Sequence, residues 1–247
     1  MDTQLQPEPA RPDAFAQTRW SLVAAARDGD AEIARHSLWS LCSAYWYPVY
    51  AYIRRCGHSA DLAYDLAESF FSDLAQDLRV SDPRSQGRFR SYLLSRLSQF
   101  LAADWRQESR DAGSGMSAPL SRAELEARHR QERLAETTPE RAFQRSFAME
   151  VLSQALRRLR LEAEQSGRLA LFEQLEAYLT REPEAGQYQA MEQALGIRAL
   201  ALVVSLKRLR QRFRELVDEE LAQTVSNAPE LTRERAALLV ILGGGHD

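Results

Sequence analysis

Phe89, Leu93, Leu97 and Phe100 recur at spacings of four and three, which predicts a helix with these four on its buried stripe. The same period returns at Leu202, Leu206, Leu209, Phe213 and Leu216, inside a longer helix predicted over 198–225. Further helices are predicted over 15–26, 31–56, 60–77, 168–180 and 187–195, with another from about 140 through Phe143, Phe147, Val151, Leu152 and Leu159. Pro48 interrupts the second of these and predicts a kink or a join there. Ser59 is its successor's N-cap. The aromatic run Trp39, Tyr45, Trp46, Tyr47, Tyr50 and Tyr52 reads as core.

Punctuation divides the chain. Residues 1–13 are polar and Pro-rich, and are expected to be disordered. A Gly- and Ser-containing stretch after Arg110 opens a flexible linker, 111–139, within which 120–136 has the pattern of a marginal helix. The expected architecture is all-α: compact helical units over 14–110 and 140–225 joined by that linker, with a tail over 226–247.

Charge alters this picture locally. The chain carries a net charge of −3, yet the stretch from Arg84 to Arg110 holds six arginines against two acids. Such a strip suits a polyanion. Tyr92, Ser95, Arg96, Gln99 and Arg106 fall together on another face of the helix, with Arg88, Arg90 and Trp105 in the same segment. Cations hold phosphates and aromatic rings stack on unpaired bases, so the mixture suits opened or single-stranded DNA. An amphipathic core helix with a solvated face is the plain alternative.

A second basic signature lies further on. The stretch 188–216 reads as helix, Gly196-containing turn, helix, the layout of a helix-turn-helix. Lys207, Arg208, Arg210, Arg212 and Arg214 flank its apolar stripe with no acid among them.

Several classes fall away. No apolar run reaches the length of a membrane span and the N-terminus lacks the form of a signal peptide, so a cytoplasmic protein is expected. Cys42 and Cys56 form no disulfide framework, and with His36 and His58 they match no common zinc spacing. Phosphate loops, nucleophile elbows and His-Glu-x-x-His motifs are absent from the sequence, and neither an enzyme nor a cofactor is expected.

The segments TRWSLVAAARDGD, LCSAYWYPVYAYIRRCGHSADLAYDLAESFF, GRFRSYLLSRLSQFLAADWR, TPERAF and LGI followed by LKRLRQRFREL, in that order, resemble bacterial RNA polymerase sigma factors of the extracytoplasmic-function group. The resemblance covers about 15–225. It implies a region 2 that docks on the β′ clamp helices of core polymerase and reads and melts the −10 element, through Arg88, Arg90, Tyr92, Arg96, Gln99, Trp105 and Arg106. It implies a region 4 near the β flap that places its second helix in the major groove at −35, through Arg198, Lys207, Arg208, Arg210 and Arg214. Melting flips a base out of the strand, which a cationic groove with stacking rings would support.

Two departures from the family carry consequences. The core-docking helix of such factors bears an acidic cluster; here Asp61, Leu62, Tyr64, Asp65 and Glu68 stand in its place, with fewer carboxylates. One reading is a tolerated change, since exposed ion pairs contribute only about 0–1 kcal/mol. The other is weak core binding until negative charge is restored, for which Ser59, Tyr64 and Ser69 are candidate modification sites for a protein kinase; a phosphate adds about −1.5 to −2. Control by an anti-sigma factor is the other partner expectation. In the second departure, Ala199, Leu200, Val203 and Val204 stand at the outward positions of the second helix where base-edge donors are expected, which argues against base-specific readout and suits a protein contact. The alternatives to a sigma factor are a stand-alone helix-turn-helix regulator and an interaction adaptor on the same fold.

Overall fold

The computed structural model describes residues 24–26, 29–80, 89–104, 120–132, 138–225 and 227–243. These are all-helical, with no strand among the described residues. The helix expected over 15–26 lies almost wholly outside them, the expected N-terminal segment 1–13 entirely, and the linker 111–139 in part. No helix among the described residues is long and apolar enough to cross a membrane.

The chain divides into two compact units, one formed by 1–148 with 222–247 and the other by 149–221. The division therefore falls inside two helices, whereas the sequence pattern placed it in the 111–139 segment.

In the first unit, α1 (Ala31–Arg55) starts where the Asp30 carboxylate accepts the N–H groups of Glu32 and Ile33 at 3.1 and 2.9 Å. Pro48 lies inside α1 without ending it. The lost backbone hydrogen bond costs about 3 kcal/mol, but Tyr45, Trp46, Val49 and Tyr50 beside it are all buried, and that packing outweighs the local preference. Trp46 stacks on Phe71 of α2 (Ala60–Val80) with ring centroids 4.8 Å apart, and Tyr45 stacks on Phe147 at 5.6 Å. Gly57 reverses the chain between these helices at φ +100°, a region that favours glycine. Ser59 then caps α2, its Oγ accepting the Leu62 N–H at 3.3 Å.

Helix α3 (Phe89–Asp104) buries Phe89, Leu93 and Leu97, as the stripe predicts, and Phe100 sits half-buried against Phe70. Helix α4 (Arg122–Glu132) lies within the segment read as linker. It opens with a capping box: Ser121 donates its N–H and hydroxyl to Glu124, and the Glu124 N–H returns to Ser121 Oγ. Leu125 and His129 are buried, so α4 is packed rather than marginal. Glu126 accepts Tyr50 Oη–H at 2.7 Å and both Nε–H and Nη2–H of Arg54 at 3.1 and 2.9 Å. The Arg54 guanidinium holds the Glu126 carboxyl down to about 2.

Helix α5 (Pro139–Gln165) has proline at its first position and Thr138 as its cap. Its early residues Ala142, Phe143 and Phe147 are buried and belong to the first unit, its later ones to the second. A Schellman turn ends it, with Gly167 at φ +67° and the Arg168 N–H on the Ala163 carbonyl.

The second unit continues with α6 (Leu169–Leu175), a 3-10 turn (Glu176–Tyr178), α7 (Gln187–Leu195) and α8 (Ala199–Ala222). Its core is Leu175, Met191, Leu202 and Leu206, against which Tyr188, Ile197 and Leu209 pack. The helix expected over 168–180 is thus shorter and tightens at its end. Arg210 explains the arrest: its guanidinium donates to the carbonyls of Tyr178 and Arg181, satisfying groups that a continuing helix would have used.

Helix α9 (Ala228–Gly243) returns to the first unit. It occupies the stretch read only as a tail. Asn227 caps it, accepting the Glu230 N–H at 3.0 Å.

Candidate nucleic-acid interface

The turn between α7 and α8 spans residues 196–198 and rests on Gly196, whose φ of +66° an L side chain rarely adopts. The Gly196 N–H reaches the Glu192 carbonyl, and the Glu192 carboxylate takes the Ala199 N–H at 3.2 Å, fixing the start of α8. With Leu202 and Leu206 buried, the 3.6-residue period turns Leu200, Val203, Val204, Lys207, Gln211 and Arg214 outward together.

Of the cations expected to meet DNA here, Arg198, Lys207 and Arg208 are exposed and have no ion-pair partner among the described residues. Arg214 is exposed and donates to Gln211 at 3.1 Å. Arg210 is different: it is occupied by the Tyr178 and Arg181 carbonyls and the Glu182 carboxylate. Arg212 is likewise turned onto Glu162, Glu215 and Glu219; the Glu162 carboxylate foremost raises its pKa, and the Arg212 guanidinium in turn lowers that of Glu162. The sequence shows a run of five cations; the fold sorts it into an open face and an internal brace.

The Arg84–Arg110 strip is sorted more severely. Arg88, Trp105 and Arg106 lie outside the described residues. Arg90 is buried, its Nη2 donating to Glu234 Oε2 at 3.0 Å and its Nε lying 2.9 Å from Oε1, with the guanidinium 5.3 Å from the Phe147 ring centroid. Tyr92 is buried and donates to Asp77 at 2.7 Å; burial and that carboxylate push its hydroxyl upward. Arg96 meets Asp73 at 3.1 Å and Asp77 at 3.4 Å. Gln99 is exposed, as is Ser95. Three of the expected contact residues are thus held by acids of α2 and α9, partners that no local spacing reveals.

On α2 the structure gathers the expected docking residues and adds one. Arg122 of α4 places its Nη1 3.0 Å from Asp61 and its Nη2 2.6 Å from Asp65, with its guanidinium carbon 4.3 Å from the Tyr64 ring centroid. Leu62 is exposed beside them. Glu68 is half-buried, and burial followed by the like charge of Asp65 raises its carboxyl. Ser59 is exposed at the α2 N-terminus and Ser69 is half-buried. The sequence signal that bears on Arg122 is the Ser121-x-x-Glu124 capping box, which fixes the start of the helix read over 120–136 as marginal.

Comparison with known proteins returns no matching family model, curated protein or solved structure.

Proposed function

We propose that this chain is a cytoplasmic sigma-type initiation factor, in which α8 enters the major groove of promoter DNA and the α2 face docks on the β′ clamp helices of core RNA polymerase. The observation that carries it is a set of exposed cations, Arg198 in the Gly196 turn and Lys207 and Arg208 on α8, which have no acidic partner among the described residues. Unpaired guanidinium and ammonium groups along and ahead of a helix suit the phosphate rows that border a groove. The order of sequence segments extends that DNA-binding reading to a sigma factor. In this reading the unit near α3 melts the −10 element, and the β flap receives the second unit.

Acids hold Arg90, Tyr92 and Arg96, and Arg122 covers Asp61 and Asp65. That occupancy favours a second reading, a stand-alone helix-turn-helix regulator that never binds polymerase. One experiment separates the two. The full chain is mixed with core polymerase, sized by gel filtration, and assayed for promoter-dependent transcription. Co-migration with promoter-dependent transcripts supports the sigma reading; DNA binding by the chain alone, without co-migration, supports the regulator. A kinase acting at Ser59 or an anti-sigma factor would then be sought through its effect on co-migration.

A further inference from the structure

We propose, resting on the reading of α8 as a major-groove helix, that Leu200, Val203 and Val204 read thymine C5-methyl groups, so that the helix selects A·T pairs where its first two turns lie. Leu200 is 76% exposed, Val203 43% and Val204 42%. They share one face with Lys207 and Arg214, which follow at helical spacing, and Arg198 stands ahead of them in the turn. The base edges of the major groove offer one apolar group, the thymine methyl, and flanking phosphates supply anions on both sides. An apolar centre bracketed by cations is complementary to that arrangement. A protein partner would have to bring acids to both ends of the patch to avoid burying unpaired charge.

The geometry suits methyl contact in two further ways. Leu200 and Val204 lie four residues apart, about 6 Å along the axis, which is close to two base-pair steps of 3.4 Å. Both valines are β-branched, and a helix holds such side chains near a single χ1 rotamer, so little freedom is lost when they meet a ligand. The position expected to lack base readout on grounds of polarity is therefore able to discriminate by shape and hydrophobicity.

The test uses the full chain and two polymers, alternating duplex dA-dT and alternating duplex dA-dU, which differ in the C5-methyl group. Affinities are measured by fluorescence titration over a series of salt concentrations. Expected is weaker binding to the dU polymer, by about fourfold for each methyl contacted. The variant carrying Leu200→Ala and Val204→Ala, both at exposed sites, is expected to keep its helical circular dichroism and its salt dependence and to show a smaller difference between the two polymers, with Val203 still in place. Equal binding of the two polymers by the unaltered chain, with salt dependence intact, overturns the methyl reading and leaves DNA binding standing. Absence of salt-dependent binding to either polymer overturns DNA binding itself. A dimer in sedimentation equilibrium that the double variant dissolves assigns the face to a second copy and also overturns the inference.

Discussion

Arg90 on α3 and Glu234 on α9 stand 144 residues apart in sequence and meet as a two-pronged ion pair with side chains 9% and 2% exposed. A pair this deeply buried is not stabilising merely because its charges are opposite, since each ion gave up its hydration. Its removal in halves is the informative case. Glu234→Leu leaves a buried guanidinium without a counter-charge and is expected to cost about 3–5 kcal/mol. Replacing both residues together, Arg90→Met with Glu234→Leu, is expected to cost far less. Urea denaturation of Arg90→Met, of Glu234→Leu and of the double variant checks this; additive losses would show that the two side chains act independently.

Glu126 sets an acid limit on the first unit. Arg54 lowers its carboxyl from the ordinary 4.5 to about 2. A depressed carboxyl contributes stability that is fully present above 4.5 and is lost as pH falls from there towards 2. The contribution at stake is at most roughly 3 kcal/mol. Glu126→Gln is expected to be less stable than the parent at neutral pH and to lose less on acidification. Urea midpoints of both proteins, taken in steps from pH 6 to pH 2, measure it; parallel curves would contradict it.

Arg122 covers the face expected to meet polymerase, but it and Asp65 are half-exposed and Asp61 is mostly exposed. Arg122→Ala is accordingly expected to change stability by less than about 1 kcal/mol. If the sigma reading holds, it also uncovers two carboxylates and a tyrosine ring and tightens binding to core polymerase. The Leu62→Asp, Tyr64→Glu variant is expected to tighten it too, by adding charge. Dissociation constants at two salt concentrations report both; weaker binding by Arg122→Ala would make Arg122 itself a contact.

Lys207 and Arg210 separate binding from bracing. Lys207→Ala is expected to lower the salt slope of DNA affinity by about 0.9 and to leave the thermal midpoint unchanged. Arg210→Ala abandons the Tyr178 and Arg181 carbonyls and is expected to lower stability by about 1–3 kcal/mol. Calorimetry beside a salt titration distinguishes them. A stable Arg210→Ala protein with a reduced salt slope would return Arg210 to the DNA-facing group.

The periodic stripes were the most legible part of the fold. Phe89, Leu93 and Leu97 are buried where their spacing put them, and so are Leu202, Leu206 and Leu216. The turn at Gly196 is likewise where the pattern placed it. Charge was less legible, because period 3.6 says which residues face outward from one helix but not which acids approach from another. Arg90 and Arg210 read as DNA contacts in sequence, and their partners lie on α9 and in the loop after α6. Helix α9 itself carried a readable start in Asn227, Pro229 and Glu230, which the weak periodicity beyond it concealed. Helix α4 was underrated because its mean polarity is high: it buries only Leu125 and His129 and is otherwise held by polar contacts such as those of Glu126 and Arg122.

The return of α9 makes the first unit discontinuous along the chain, with 149–221 inserted between its two parts. During synthesis, Arg90 emerges long before Glu234, and all of the second unit is made in the interval. The anionic partner that the Arg90 cation needs in its apolar surroundings is thus supplied last. Translation that stops between Phe147 and Glu234 leaves the Arg90 guanidinium and its aromatic neighbour without the carboxylate that completes the site. A chain cut short of α9 is therefore expected to leave a buried charge uncompensated, and unfinished chains of that kind are substrates for proteases and chaperones.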